Sequence, residues 1–281
     1  AILNLAGHCE DALVFNGDAM DEVTYWQDAD GHELPMFFLY VYKMQVCCYY
    51  EDWQQADYLR KQAEQTKGTA QAFSEVSGLM YYSALIPLAL AAGERATGHR
   101  LRVYKKRAKP CIRMIRKAAT KEHKGMNLSH RVHLLDAQFL ASRKKVDIAD
   151  VRDAFDQAIK MASRAGFRQD AAMGNLLAGT FFSTRNEGNA EASFWARHYM
   201  SRSVELFEDW GAHGVSSRLE RTHPGLISND AGSSGLRSSN HHGRVRHTSE
   251  RRSSNATRPL IARLIAQASG KLSYSREQDS P

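Results

Sequence analysis

The side chains of this sequence that could do chemistry are three histidines, a loop with spaced glycines, a run of lysines and arginines, and two serines behind a pair of arginines. His130 and His133, with His123 nearby, could bring imidazoles to one helix face, as a zinc site requires. No Cys or acidic residue stands at ligand spacing beside them, so no metal is expected. The run Gly93-Glu94-Arg95-Ala96-Thr97-Gly98-His99-Arg100 imitates the spacing of a phosphate-binding loop. Such a loop follows a strand and needs Lys and a hydroxyl after its last glycine, for the phosphates and for magnesium. Here His99 and Arg100 occupy those places and a helical stretch comes first, so the expected structure is a helix-breaking connection.

The lysines and arginines lie on a strongly basic amphipathic helix over residues 100–121. Its candidate patch is Arg102, Lys105, Lys106, Lys109, Arg113, Arg116 and Lys117, which could hold phosphates or anionic lipid. The competing expectation is a solvated face neutralised by Asp18, Asp21, Glu22, Asp28 and Asp30. No exposed aromatics for base stacking are evident on that helix, which disfavours nucleic acid as a partner. Ser253 and Ser254 follow Arg251-Arg252, the pattern of a basic-directed phosphorylation site, where phosphate would cancel local positive charge. No Ser/His/Asp or Cys/His arrangement stands out in local spacing, so no catalytic or cofactor-binding residue is assigned.

These groups sit on a chain whose apolar residues recur at helical spacing. Val151, Phe155, Ala158, Ile159 and Ala162 form one stripe; Ala196, Tyr199, Met200, Ser203, Leu206, Phe207 and Trp210 form another, expected in the core. Val132, Leu135 and Phe139, then Met173, Leu177 and Phe181, offer partner faces. Short polar connections at 143–147, 166–170 and 186–189 fit antiparallel neighbours. Upstream, the pattern predicts a buried helix over 33–50, an amphipathic one over 52–65, and a long apolar one over 70–92 that Pro87 should kink. Pro110 should kink or divide the basic helix. A last helix over 215–222 should end at Pro224.

Composition bounds the class. With 281 residues and 43% hydrophobic content, the chain can build a substantial core. Its most apolar window, 79–92, is shorter than a membrane span and is interrupted by Ser83 and Pro87, so no membrane insertion is expected. Residues 1–7 lack both an initiating Met and a basic segment, which predicts a piece of a longer protein without a secretory signal. Cys9, Cys47, Cys48 and Cys111 form no CxxC pair, so reduced thiols in a cytoplasmic protein are expected. Net charge is +7, of which the tail from Ser228 supplies five, with nine Lys and Arg against four Asp and Glu. That tail is rich in Ser, Gly, Arg and His, and predicts a disordered linker.

Residues 1–227 resemble the helical-repeat segment of large signalling proteins that combine a serine/threonine kinase-like domain, a STAND/AAA-type ATPase, a GAF sensor and often a histidine kinase. The resemblance rests on Asn4-Leu5 with Gly7, Leu134-Leu135-Asp136-Ala137, Phe155-Asp156-Gln157-Ala158-Ile159 with Ala162, Gly166-Phe167 and Asp170-Ala171-Ala172. It continues through Asn175, Leu177-Ala178-Gly179, Phe181-Phe182, Ala196, Tyr199, Trp210-Gly211-Ala212, Leu219-Glu220 and Pro224. Leu176, Gln138 and Val215 depart from the family's Glu, Glu and Lys, so an ion-pair network common to the family is not implied here. The resemblance implies a helical array between the ATPase and the sensor or kinase output that contributes no chemistry of its own.

The resulting expectation is an all-α, superhelical array of antiparallel helical hairpins, a degenerate tetratricopeptide-like solenoid. Corresponding positions such as Phe155 and Met200 lie 45 apart, beyond the roughly 34 residues of a tetratricopeptide unit. Residues 1–32 should be an irregular N-terminal segment with a weak helix over 20–28, residues 33–227 the array, and 228–281 the tail. The expected function is a non-catalytic protein-interaction and regulatory scaffold without cofactor, its partner another protein or other domains of the same chain. Two other classes stay open: a basic module for nucleic acid or an anionic surface, acting through 100–121 and the tail, and an enzyme fragment with an unrecognised site.

Overall fold

A computed structural model describes residues 1–17, 20–29, 31–70, 75–120, 128–143, 145–185 and 189–227. Among these the regular structure is helical, apart from one isolated bridge between Gly17 and Met20. The fold is all-α. The helices are α1 (Ile2–Ala6), α2 (Glu22–Asp28), α3 (Glu33–Tyr49), α4 (Trp53–Thr66), α5 (Glu75–Gly93), α6 (Gly98–Ala119), α7 (Ser129–Ala141), α8 (Ile148–Arg164), α9 (Arg168–Ser183), α10 (Ala190–Trp210), α11 (His213–Thr222) and α12 (Pro224–Ile227). From α3 to α11 each packs on the next in the chain.

Local chemistry fixes several ends. Asp52 accepts from the Gln55 N–H at 3.0 Å, Asp147 from Ala149 at 2.9 Å and Asn189 from Ala192 at 3.0 Å, satisfying donors that a first helical turn leaves free. Gly211 ends α10 at φ 86°, and the Gly211 and Ala212 N–H groups close back on Glu208 and Phe207. Pro87 and Pro110 lie inside α5 and α6; Pro110 does not divide its helix.

The apolar stripes account for the packing. Val151, Phe155, Ala158 and Ala162 are the buried face of α8, while α5 and α9 are buried on nearly every side. By length and composition α5 is the one helix among the described residues that could cross a membrane, yet Gly78, Leu79 and Tyr81 through Ala91 are buried by its neighbours. Small residues set the closest approaches. A Cβ on Gly179 would stand 3.2 Å from the Met200 main-chain nitrogen, and one on Gly174 would stand 2.8 Å from Ile159 Cγ1. Across α9 and α10, Phe182 stacks on Tyr199 at 5.6 Å, and Ser203 donates to the Ala172 carbonyl at 3.0 Å.

Residues 1–32 carry α2, where a weak helix over 20–28 is expected, and in addition the short α1, which is not. Glu22 accepts from the Phe15 N–H at 2.8 Å and pairs with Lys43 of α3. Trp210 also departs from expectation. It is 36% exposed, because it ends α10 where the stripe runs off the core, and one side of its indole rests on Tyr49 at 5.5 Å.

Candidate functional site

Among the described residues, the most deeply buried salt-bridged pair of ionisable side chains lies where α5, α7 and α9 meet. His130, in the first turn of α7, brings Nε2 to 2.6 Å from Asp170 Oδ2 in the first turn of α9. Arg131 donates from Nε to the same oxygen at 3.0 Å. Phe167 stacks on the imidazole at 4.4 Å, and the Arg131 guanidinium lies over the Tyr81 ring at 4.9 Å. His130 and Asp170 are each 2% exposed. Burial alone would raise the Asp170 pKa, but the His130 hydrogen bond and the Arg131 charge together hold it below the ordinary carboxylate value. Burial likewise opposes the charge on Arg131, and Asp170 more than restores it.

The phenols beside this ion pair, and two buried thiols on α3, are held neutral. Burial pushes the Tyr49, Tyr81 and Tyr82 phenols up, Cys48 well up, and Cys47 up to about 12. Nucleophiles need a lowered pKa or an adjacent base, and these groups have the opposite shift. The arrangement is suited to tying three helices together.

Of the histidines considered for a metal, His130 is engaged by Asp170 and His133 lines a separate shallow groove with Arg116 and Asp136. His123 lies outside the described residues. The loop resembling a phosphate-binding sequence is the connection from α5 to α6, with Gly98 at φ 56° and Arg95 at φ 46°. No strand precedes it.

The chain matches no family model, no curated protein and no solved structure. The arrangement of its own side chains therefore carries the functional reading.

The basic helix keeps Tyr104, Ala108, Ile112 and Ile115 inward. Its carboxylate partners differ from those expected. Arg107 pairs with Asp57, Arg116 grips Asp136 with contacts at 2.6 and 2.8 Å, and Arg100 meets Glu94 at 3.1 Å. Glu22 is instead taken by Lys43, and the Asp21 carboxylate caps α2 through the Thr24 N–H at 2.8 Å. Asp18 and Asp30 lie outside the described residues. Within the candidate patch, Lys105 and Lys109 lie over the Phe139 ring at 5.2 and 5.9 Å. Burial, with Arg143 and Lys109 nearby, lowers the Lys105 pKa. Arg102, Lys106, Arg113 and Lys117 are exposed and, among the described residues, make no carboxylate contact. Val103 and Met114 are exposed on the same helix. Ser253 and Ser254 lie outside the described residues.

Sequence reasoning missed Asp170 as the partner of His130, and Asp57 and Asp136 as partners of the basic helix. Each is separated from its partner by 20 residues or more. Asp136 and Asp170 both stand in stretches that carry the family resemblance, Leu134-Leu135-Asp136-Ala137 and Asp170-Ala171-Ala172, but neither is marked there as a charge partner.

Proposed function

We propose that this chain is a non-catalytic protein-interaction and regulatory scaffold, a degenerate tetratricopeptide-like array of antiparallel helical hairpins. The observation that carries the reading is the division of labour among charged groups. The buried His130 and Asp170, with half-buried Arg131, are consumed in holding helices together, whereas Arg102, Lys106, Arg113 and Lys117 are left open on α6. Exposed Val103 and Met114 beside them favour an acidic, partly apolar protein segment, since phosphate backbones reward cations and hydrogen-bond donors and leave apolar side chains unused. The resemblance to multidomain signalling proteins would make that segment another domain of the same parent chain, and a partner shifts the parent's output only by binding its states unequally.

A basic module for nucleic acid is the second reading, supported by the same cations. Phe139, the ring that Lys105 and Lys109 of the patch cover, is not free for base stacking. Lysine-directed crosslinking on the intact parent protein separates the two. Crosslinks from Lys106 and Lys117 to an acidic protein segment are expected. Photocrosslinks of α6 to nucleic acid in their place would overturn the proposal.

A further inference from the structure

A cavity of about 640 Å³ opens where the C-terminal ends of α5, α7 and α9 meet the first turn of α6 and the flank of α11. Its floor is apolar, with Ala89, Leu101, Leu177 and Phe181 in the wall. Its rim carries Arg95, Arg143, Arg185 and Arg218. Among the described residues Arg95, Arg143 and Arg218 make no ion pair, and Arg185 lies over the Phe181 ring at 3.9 Å and donates to Thr184 Oγ1 at 3.3 Å. The single carboxylate among the described residues lining the cavity, Glu51, is already engaged by His223 at 2.9 Å. Among the described residues, four guanidinium groups thus line an apolar space with no carboxylate left there to balance them.

Two further features belong to its lining. Gln138 is 4% exposed and lines the cavity, and its Oε1 has no hydrogen-bond donor. A buried amide oxygen without a donor is costly, so an occupant bearing a hydroxyl or N–H would relieve it. Thr97 provides no side-chain cap to α6, and Thr97 and Gly98 both lie in the wall. Helix C-terminal ends also face this space, so part of the arginine charge offsets their carbonyl dipoles. The guanidinium groups, which recognise carboxylate and phosphate bidentately, would therefore be the anion's main hold. Pockets of this size with apolar walls and few convergent polar groups suit small molecules.

We infer that this cavity binds a small organic anion with an apolar body, a carboxylate or phosphate head held by the arginine rim, and a hydroxyl or N–H donated to Gln138. The site is separate from the α6 surface, and its occupant bridges α6, α7, α9 and α11.

The test is calorimetric titration of the whole chain with 3-hydroxydecanoate, decanoate, decyl phosphate, decanol and inorganic phosphate, with melting temperature followed in parallel. Saturable binding of the amphiphilic anions is expected, with a raised melting temperature and with decanol and inorganic phosphate at least about tenfold weaker. The decanoate and decyl phosphate arms distinguish the two head groups. Arg185→Gln with Arg218→Gln should weaken the anions about tenfold, and Gln138→Leu should abolish the preference for the hydroxylated acid. Both variants should keep the wild-type circular dichroism spectrum. No saturable binding up to about 1 mM, or binding indifferent to the paired arginine change, would overturn the assignment.

Discussion

The Tyr50 hydroxyl donates a 2.7 Å hydrogen bond to the main-chain carbonyl of Asn4, joining the end of α3 to the first helix of the chain. Gly214 of α11 lies against the same point, where an added Cβ would stand 2.4 Å from the Tyr50 hydroxyl and 2.8 Å from Gly7 Cα. Tyr49, one residue earlier, packs edge-on against Phe207 of α10 at 5.8 Å. Helices distant in sequence are thus fastened to one another. Gly214→Ala should destabilise by about 1–3 kcal/mol, because main chain and not only a flexible tip must move. Tyr50→Phe should cost about 0.5–1.5 kcal/mol, the net worth of one hydrogen bond, because the Gly7 N–H still holds the Asn4 carbonyl at 3.1 Å. Urea denaturation of both variants measures this, and an unchanged midpoint for Gly214→Ala would mean that the two ends do not meet.

Asp170→Asn should be among the most damaging substitutions, at about 3–5 kcal/mol, since it leaves Arg131 charged and under-partnered in the interior. The pH dependence has a definite sign. A carboxylate whose pKa falls on folding contributes stability in full above its unfolded value, near about 4, and loses that contribution as pH drops through the folded value. Wild-type stability should therefore fall below about pH 4, with a shallower acid slope in Asp170→Asn. Equal slopes would contradict the ion pair.

Phe155 and Trp210 belong to similar stripes but differ in burial, at 0% and 36% exposed. Phe155→Ala should cost about 3–5 kcal/mol and Trp210→Ala less, roughly 2–3 kcal/mol, because part of the indole is already hydrated. Reversed costs in thermal melts would show that α10 packs the other way round.

Thiol labelling at pH 8 should divide the four cysteines. Cys47 and Cys48 are buried, and with the Cys47 pKa at about 12 only about one thiol in ten thousand would be ionised. Cys9 and Cys111 are half-buried, and burial raises the Cys111 pKa too. At most two thiols should react before unfolding, and all four in denaturant. Rapid labelling of Cys47 in the native protein would contradict the packing of α3.

Much of this fold is written in periodicity that one helix carries alone. The stripe of α8, the glycine ending α10 and the polar caps at Asp52, Asp147 and Asn189 need no knowledge of neighbours to be recognised. What escaped depends on contacts between distant segments. The pairing of His130 with Asp170 spans 40 positions and leaves no local pattern. The acidic stretch near residue 20 looked like the complement of α6 because it was rich in carboxylates, yet Glu22 was drawn to Lys43 and Asp57 and Asp136 reached α6 from adjoining helices. Trp210 followed the spacing of its stripe but lay past the edge of the core. α1, too short to persist alone, is fastened by Tyr50 and α11. The cavity, assembled from the ends of several helices, has no sequence signature.

The functional proposal rests most directly on what α6 binds. Fluorescence anisotropy should be measured for an acidic amphipathic peptide and for a single-stranded oligonucleotide, against the wild-type chain and a variant with Arg102, Lys106, Arg113 and Lys117 each changed to Gln. Peptide binding should persist between about 50 and about 200 mM salt and weaken at least about tenfold in the variant, with the oligonucleotide weak and lost at the higher salt. An oligonucleotide bound more tightly than the peptide, or a variant that binds the peptide like the wild type, would contradict the scaffold reading.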